Sequence, residues 1–154
     1  MDSDDAYLEL LARMSVTPPR GPAAAAAATA ALERLGTELD ALAPRLEVEC
    51  YGPPVGLDGA PEAYRLVIRR HEWRPNHPEW GLRVCDATPR CRWRAAWTVH
   101  GAGRLRRNRI LQALPALLAE YAAAVTAAGK GETPEGRRIR EMAARLAAAG
   151  PTGQ

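Results

Sequence analysis

The sequence has 154 residues, of which 47% are hydrophobic and 25% are charged, so the chain is long and apolar enough to bury one core. These fractions exclude a wholly disordered polypeptide, and the odd number of cysteines, three, favours reduced thiols over a disulfide framework. The first twenty residues lack the apolar run of a secretory signal, and the alanine run 23–28 is too short to cross a bilayer. We therefore expect a cytoplasmic protein that does not associate with membranes.

Two helices are predicted at the start of the chain. Ser3 or Asp4 can cap a short helix over about 4–14, which a linker containing two prolines separates from the next element. The second helix is predicted over about 22–42 and ends before Pro44, because a proline disfavours helix in the residue before it. Its leucines recur at helical spacing and form a narrow seam that could support self-association as a homo-oligomer: Leu32, Leu35, Leu39 and Leu42.

From residue 45 onward the apolar residues recur at every second position, which predicts four strands. The first three are marked by Leu46-Val48-Cys50, by Tyr64-Leu66-Ile68 and by Leu82-Val84. A long turn region over 52–59 and proline-containing breaks at 75–78 and 88–89 separate the strands. The fourth strand has the clearest alternation, with Cys91, Trp93, Ala95, Trp97 and Val99 on one face and Arg90, Arg92, Arg94 and Thr98 on the other.

Two further helices are predicted at the end of the chain. Apolar residues from Leu105 to Val125 indicate a helix that Pro115 kinks or divides, and Thr133-Pro134 opens a last helix. The predicted fold is α+β: a four-stranded antiparallel meander covered on one face by helices, in the order α-α-β-β-β-β-α-α. We divide the chain into an N-terminal arm with a short helix and linker (1–21), an α+β core domain (22–128) and a C-terminal helix and tail (129–154).

The net charge of +3 conceals an asymmetry. Residues 60–109 hold twelve arginines and four acids, a net charge of +8, whereas the rest of the chain carries −5. If the strand register holds, the arginines of the outer sheet face and of the following helix start share one surface, and their mutual repulsion would be relieved by an anionic partner. The predicted anion-binding residues are Arg65, Arg69, Arg83, Arg92, Arg94, Arg104, Arg106, Arg107 and Arg109.

These arginines favour a non-enzymatic binding module for a nucleic-acid backbone, because a guanidinium forks onto phosphate and each neutralised phosphate releases a counterion. The alternative is an adaptor that docks an acidic protein surface through the same residues. No nucleophile with a matching base and acid is recognisable, and no cofactor is expected. A face of solvated arginines without any partner is the remaining possibility.

Two segments resemble known families. The stretch from Gly101 to Arg107 is similar to the end of a double-stranded-RNA-binding domain, a family whose second helix opens with basic residues that meet phosphates. The segment from Glu72 to Trp80 resembles the signature of pterin-4a-carbinolamine dehydratases, in which histidines act as acid and base. Asn76 stands where that family has its first histidine, and an amide transfers no proton at neutral pH, so the resemblance implies at most a degenerate enzyme.

Metal binding is a further hypothesis. His71, His77, Cys85 and Cys91 have the ligand chemistry of zinc, although structural zinc sites use tighter pairs of ligands. If the turn after the third strand centres on Thr88, Cys85 and Cys91 face each other across a hairpin. The alternative for the two cysteines is that they are small buried core residues.

Overall fold

Four helices and an antiparallel sheet make up the part of the chain that the computed structural model describes, which is residues 5–57, 60–74, 76–87, 93–97 and 104–148. The helices are α1 (Ala6–Val16), α2 (Gly21–Leu46), α3 (Arg104–Ala127) and α4 (Pro134–Ala148). The strands are β1 (Cys50–Leu57), β2 (Ala60–Arg74), β3 (His77–Ala87) and the short β4 (Trp93–Trp97). The predicted α+β class is therefore confirmed.

Three long strands, β1 to β3, form an antiparallel meander in which each strand pairs with the next. β4 has five residues and pairs with β3 at Val84, Cys85 and Ala87. The predicted fourth strand is longer than this segment, and its two ends lie outside the described residues. The complete four-stranded meander and its strand order thus remain a prediction.

One hydrophobic cluster holds the helices against one face of the sheet. α3 packs mainly on β1 and α2 packs mainly on β3, while α1 and α4 pack on α3. Strand residues alternate as their period requires, so Leu66 and Ile68 of β2 point into the cluster and Arg65 and Arg69 lie on the other face. Residues of α1 and α4 belong to the same cluster, so the terminal helices are part of this core.

The leucine seam of α2 faces this core and is not a self-association surface. Leu32, Leu35 and Leu39 are fully buried, and Leu42 is half-buried against the same cluster. The seam therefore has its partner within the chain, which is the usual outcome for an apolar stripe on an amphipathic helix.

The end of α2 differs from the prediction. The helix runs through Pro44 to Leu46, and Glu47 then ends it in a left-handed conformation, with its N–H donating to the carbonyl of Ala43 at 2.9 Å. A proline in the last turn removes a single helical N–H, so the turn can continue around it. The predicted strand at Leu46–Cys50 is consequently wrong, because the alternating pattern there covers a helix end and a connector.

The first strand occupies the region predicted as a turn. β1 begins at Cys50 and includes Pro53 and Pro54, with register shifts on either side of the prolines. Prolines fit there because β1 is an edge strand, where a missing N–H leaves no ladder partner unpaired. Likewise, Pro115 neither ends nor divides α3, which is assigned without interruption from Arg104 to Ala127.

One described helix, α3, is long and apolar enough to cross a membrane by length and composition. In the structure its apolar stripe is occupied by the core: residues such as Ile110, Leu114, Leu118 and Tyr121 are fully buried against the sheet and the other helices. Packing within the fold thus uses part of the apolar surface of α3.

Candidate anion-binding site

Three of the predicted arginines lie on the outer face of the sheet, opposite the face that contributes to the hydrophobic cluster. Val67 pairs with Arg83, and Arg65 and Arg69 flank Val67 at alternate positions of β2, so the three arginines are neighbours on this face. Each of them, however, has a partner within the chain. This matters because an internally neutralised guanidinium has little need of an external anion.

The two arginines of β2 contact β1 and the connector before it. Arg65 donates to the carbonyl of Gly52 at 2.9 Å. Arg69 lies 3.8 Å from the Glu49 carboxylate and stacks over the ring of Tyr51, with its guanidinium carbon 5.4 Å from the ring centroid. The outer face therefore holds its arginines by local polar and aromatic contacts.

Arg83 is a structural residue of β3. Its side chain is 9% exposed, and it lies 3.3 Å from Asp40 of α2 and 3.5 Å from Glu79. It also donates to the carbonyl of Leu82 at 2.8 Å. Burial raises the pKa of Asp40, and the opposing charge and hydrogen bonds of Arg83 do not fully cancel that effect.

Asp40 of α2 and Arg83 of β3 lie beside the backbone of Leu82. Leu82 pairs with Ile68 of β2, and its carbonyl also accepts from the Arg83 guanidinium. Asp40 lies next to the same guanidinium, so this ion pair connects α2 to β3.

The arginines at the start of α3 are in a different environment. Arg106 is half-buried, Arg107 is buried and Arg109 is exposed. Within the described residues, neither Arg107 nor Arg109 forms an ion pair, and the first turn of α3 contains no acid. Basic residues near a helix N-terminus repel the positive end of the helix dipole, so Arg107 and Arg109 are not neutralised by an acid of their own helix start.

The remaining predicted arginines cannot be placed on either surface. Arg92 and the side chains of Arg94 and Arg104 lie outside the described residues; the backbones of Arg94 and Arg104 belong to β4 and α3. α3 packs on the core face of the sheet, whereas Arg65, Arg69 and Arg83 point from its other face. The described arginines thus form two groups, one on the sheet and one on α3.

The predicted metal ligands are not brought together where the structure describes them. His71 pairs with Glu79 and Cys85 pairs with Arg65, so the two lie six positions apart along β2, about 20 Å at ~3.3 Å per residue. No group of three or more His, Cys, Asp or Glu residues within the described residues could hold a metal ion. The side chain of His77 and the whole of Cys91 lie outside those residues.

The prediction that Cys85 faces Cys91 across a hairpin is wrong, since Cys85 pairs with Ala96. Both described cysteines are buried, and burial raises the pKa of Cys50 to about 11, so its thiol is protonated at neutral pH. His71 is buried as well. Burial, with the charges of Arg69 and Arg83, lowers its pKa to about 4, so its ring is neutral at neutral pH.

The segment that resembles the dehydratase signature forms the β2–β3 turn. Asn76 is exposed and has a left-handed backbone with φ of 66°, a conformation that asparagine tolerates better than most residues. Within the described residues nothing assembles an acid and a base around this turn.

Sequence reasoning did not connect the linker after α1 with the start of α3. The structure places a cavity of about 290 Å³ between them, lined by Pro19, Gly21, Pro22, Ala25 and Arg107. The available signal was the Gly-Pro start of α2 without an acid in its first turn. That signal concerns only the wall formed by the start of α2. Tertiary packing places Arg107 of α3 beside it, and no local sequence pattern predicts that contact.

No family model matches the chain, and no curated protein or solved structure matches it significantly.

Proposed function

We propose that the protein is a non-enzymatic, cytoplasmic binding module for an anionic macromolecule, with a nucleic-acid backbone as its ligand. The proposal differs from the sequence prediction in one respect. The contact surface is the first two turns of α3, because Arg65, Arg69 and Arg83 of the sheet are engaged within the chain.

The observation that carries the proposal is the exposed, unbalanced cation at the start of α3. Arg109 is exposed and forms no ion pair within the described residues, and Arg106 lies three residues before it, on the same side of the helix. Two arginines on one side of a helix, one of them half-buried and the other exposed, fit successive phosphates better than a single carboxylate.

The experiment measures binding of a fluorescein-labelled DNA duplex by anisotropy over a range of salt concentrations. We expect the wild type to bind at low salt and the affinity to fall steeply with salt. Replacing Arg106 and Arg109 by Glu should weaken binding and reduce the slope of log Kd against log salt by about two, roughly one for each lost phosphate contact.

The matched control replaces Arg137 and Arg140 of α4 by Glu, which changes the net charge equally. Both residues pair with Glu132 and are 67% and 49% exposed. Binding by this control should stay close to that of the wild type, allowing for the weaker overall attraction. Equal losses in both variants, or no duplex binding at low salt, would contradict the proposal, and the single variant Arg109→Glu tests it if the double variant does not fold.

A further inference from the structure

The N-terminus of α2 is a helix end whose own first turn supplies no counter-charge. The N-cap residue Arg20 makes no side-chain capping bond, and the first turn contains no acid. Pro22 has no N–H, so the donors of this turn are the backbone N–H groups of Gly21 and Ala23. A 26-residue helix presents the full positive end of its dipole here.

Arg107 of α3 lines the cavity beside this helix end. It is 8% exposed, and among the residues that the structure describes its buried Nε has no hydrogen-bond acceptor. Its Nη2 donates to the side-chain oxygen of Asn108 at 3.3 Å, and within the described residues no carboxylate lies within ion-pair distance. The side chain is thus a buried cation next to a second positive centre.

Arg83 and Arg107 are buried to the same extent but differ in the partners that surround the guanidinium. Arg83 is held by two carboxylates and a backbone carbonyl. Arg107 has one amide oxygen. Burying an ion without a counter-charge is strongly unfavourable, and two positive centres side by side increase that cost. An anion in the cavity would relieve both.

We propose that this cavity binds a phosphate group, with the Arg107 guanidinium as its counter-charge and the Gly21 N–H group at the start of α2 as a further donor. Phosphate fits because its tetrahedral oxygens accept from several directions and because guanidinium binds it in a forked geometry. The other walls, Pro19, Pro22 and Ala25, are apolar and small, so they shape the cavity for one compact group.

This site goes beyond the proposed function, because it does not involve the exposed face of Arg106 and Arg109. Its phosphate has two possible sources: a free phosphate or phosphomonoester, or one phosphate of the nucleic-acid backbone. The two sources share the same chemistry at Arg107 and are separated by the experiment.

The experiment titrates inorganic phosphate into the full chain at constant ionic strength, using calorimetry and the thermal shift. We expect saturable binding with one site and a rise in Tm. Arg107→Met keeps most of the side-chain packing and should weaken binding by roughly tenfold or more, the loss expected for a charge-assisted contact. Arg137→Glu, on the exposed side of α4, should bind as the wild type does.

A second variant keeps the test independent of any folding defect in Arg107→Met. In Arg20→Asp a carboxylate at the N-cap accepts from the first turn, so it should raise Tm in the absence of phosphate and abolish phosphate binding. Absence of saturable binding by the wild type would overturn the proposal. Wild-type affinity in both variants would overturn it as well.

Repeating the DNA-duplex binding measurement in the presence of phosphate identifies the source of the bound phosphate group. If saturating phosphate leaves duplex affinity unchanged at matched ionic strength, the ligand is a free phosphate or phosphomonoester; if phosphate competes with the duplex, it is a backbone phosphate. Both results support the site. A protein that binds phosphate but no duplex would refute only the proposed function, and one that binds duplex but no phosphate would refute only this inference.

Discussion

At the scale of single residues, Arg138 of α4 connects three parts of the chain. It lies 2.8 Å from Asp5, 2.5 Å from Glu38 of α2 and 2.9 Å from Glu141, and the hydroxyl of Tyr7 donates to Glu38. Asp5 and Glu38 are each 20% exposed. Arg138 thus joins the start of the chain to α2 and α4 in a half-buried network.

The charges in this network hold the carboxyl groups ionised. The hydrogen bond and charge of Arg138 lower the pKa of Asp5. Burial raises the pKa of Glu38, but the hydrogen bonds from Arg138 and Tyr7 outweigh it, so the net shift is downward. The same network raises the pKa of Arg138, with the hydrogen bond to Glu38 as the main cause.

We expect Arg138→Met to destabilise the protein by about 3 kcal/mol, because it leaves Glu38 partly buried without a counter-charge and leaves Asp5 with only Arg145, 3.6 Å away. Urea unfolding at neutral pH measures the change. Arg137→Met is the matched control: Arg137 is 67% exposed and pairs with Glu132, which is 77% exposed. An exposed pair of this kind contributes less than about 0.5 kcal/mol. Similar losses in the two variants would show that the network contributes no more than a surface pair.

At the scale of elements, α2 meets β3 where a glycine allows close approach. A Cβ on Gly81 would lie 2.8 Å from Cγ of Asp40 and closer still to its Oδ1, so a side chain there displaces the carboxylate that pairs with Arg83. Gly36, in the middle of α2, has nothing within 4 Å of the corresponding position. Alanine at Gly81 therefore tests close packing, whereas alanine at Gly36 tests helix propensity alone.

We expect opposite effects on stability from the same substitution at these two positions. Gly81→Ala should destabilise the fold by about 1–3 kcal/mol, since it pushes Asp40 away from Leu82 and Arg83. Gly36→Ala should stabilise it by about 0.5–1 kcal/mol through helix propensity and a less flexible unfolded chain. Chemical denaturation of both variants measures the two signs, and a neutral or stabilising Gly81→Ala would contradict the contact with Asp40.

At the scale of the whole molecule, stability should depend on pH through His71. Its pKa is about 4 in the folded state, below the usual value of 6.5, because of burial and the charges of Arg69 and Arg83. The unfolded chain takes up this proton first. Stability is therefore unaffected by His71 well above pH 6.5. As the pH falls from about 6.5 towards 4, the unfolded chain binds the proton that folded His71 does not, and the free energy of unfolding decreases.

We expect the wild type to lose about 2 kcal/mol between pH 7.5 and 5.0 from this group, at ~1.4 kcal/mol per pKa unit. His71→Gln has no such proton and should show a correspondingly smaller loss. The carboxyl groups Asp5, Glu38 and Asp40 are present in both proteins, so the difference between them isolates the histidine. Parallel pH profiles from urea unfolding would show that His71 titrates normally in the folded state.

The sequence by itself determined the class of fold and most of the helices. Helical and alternating periods are local properties, and so is the cap of α4, where the Thr133 hydroxyl accepts from the Gly136 N–H at 3.0 Å. Alternation along β2 also assigned Arg65 and Arg69 correctly to the face opposite Leu66. It failed at Leu46–Cys50, where alternating residues span a helix end and a connector.

Only the tertiary structure decided which charges have partners. Asp40 and Arg83 are 43 residues apart, and Arg138 and Asp5 are 133 apart, so no local pattern predicts that they meet. The same applies to the cavity between the start of α2 and Arg107. A period fixes the direction of a side chain relative to its own element, whereas neutralisation of a charge depends on what another element places beside it.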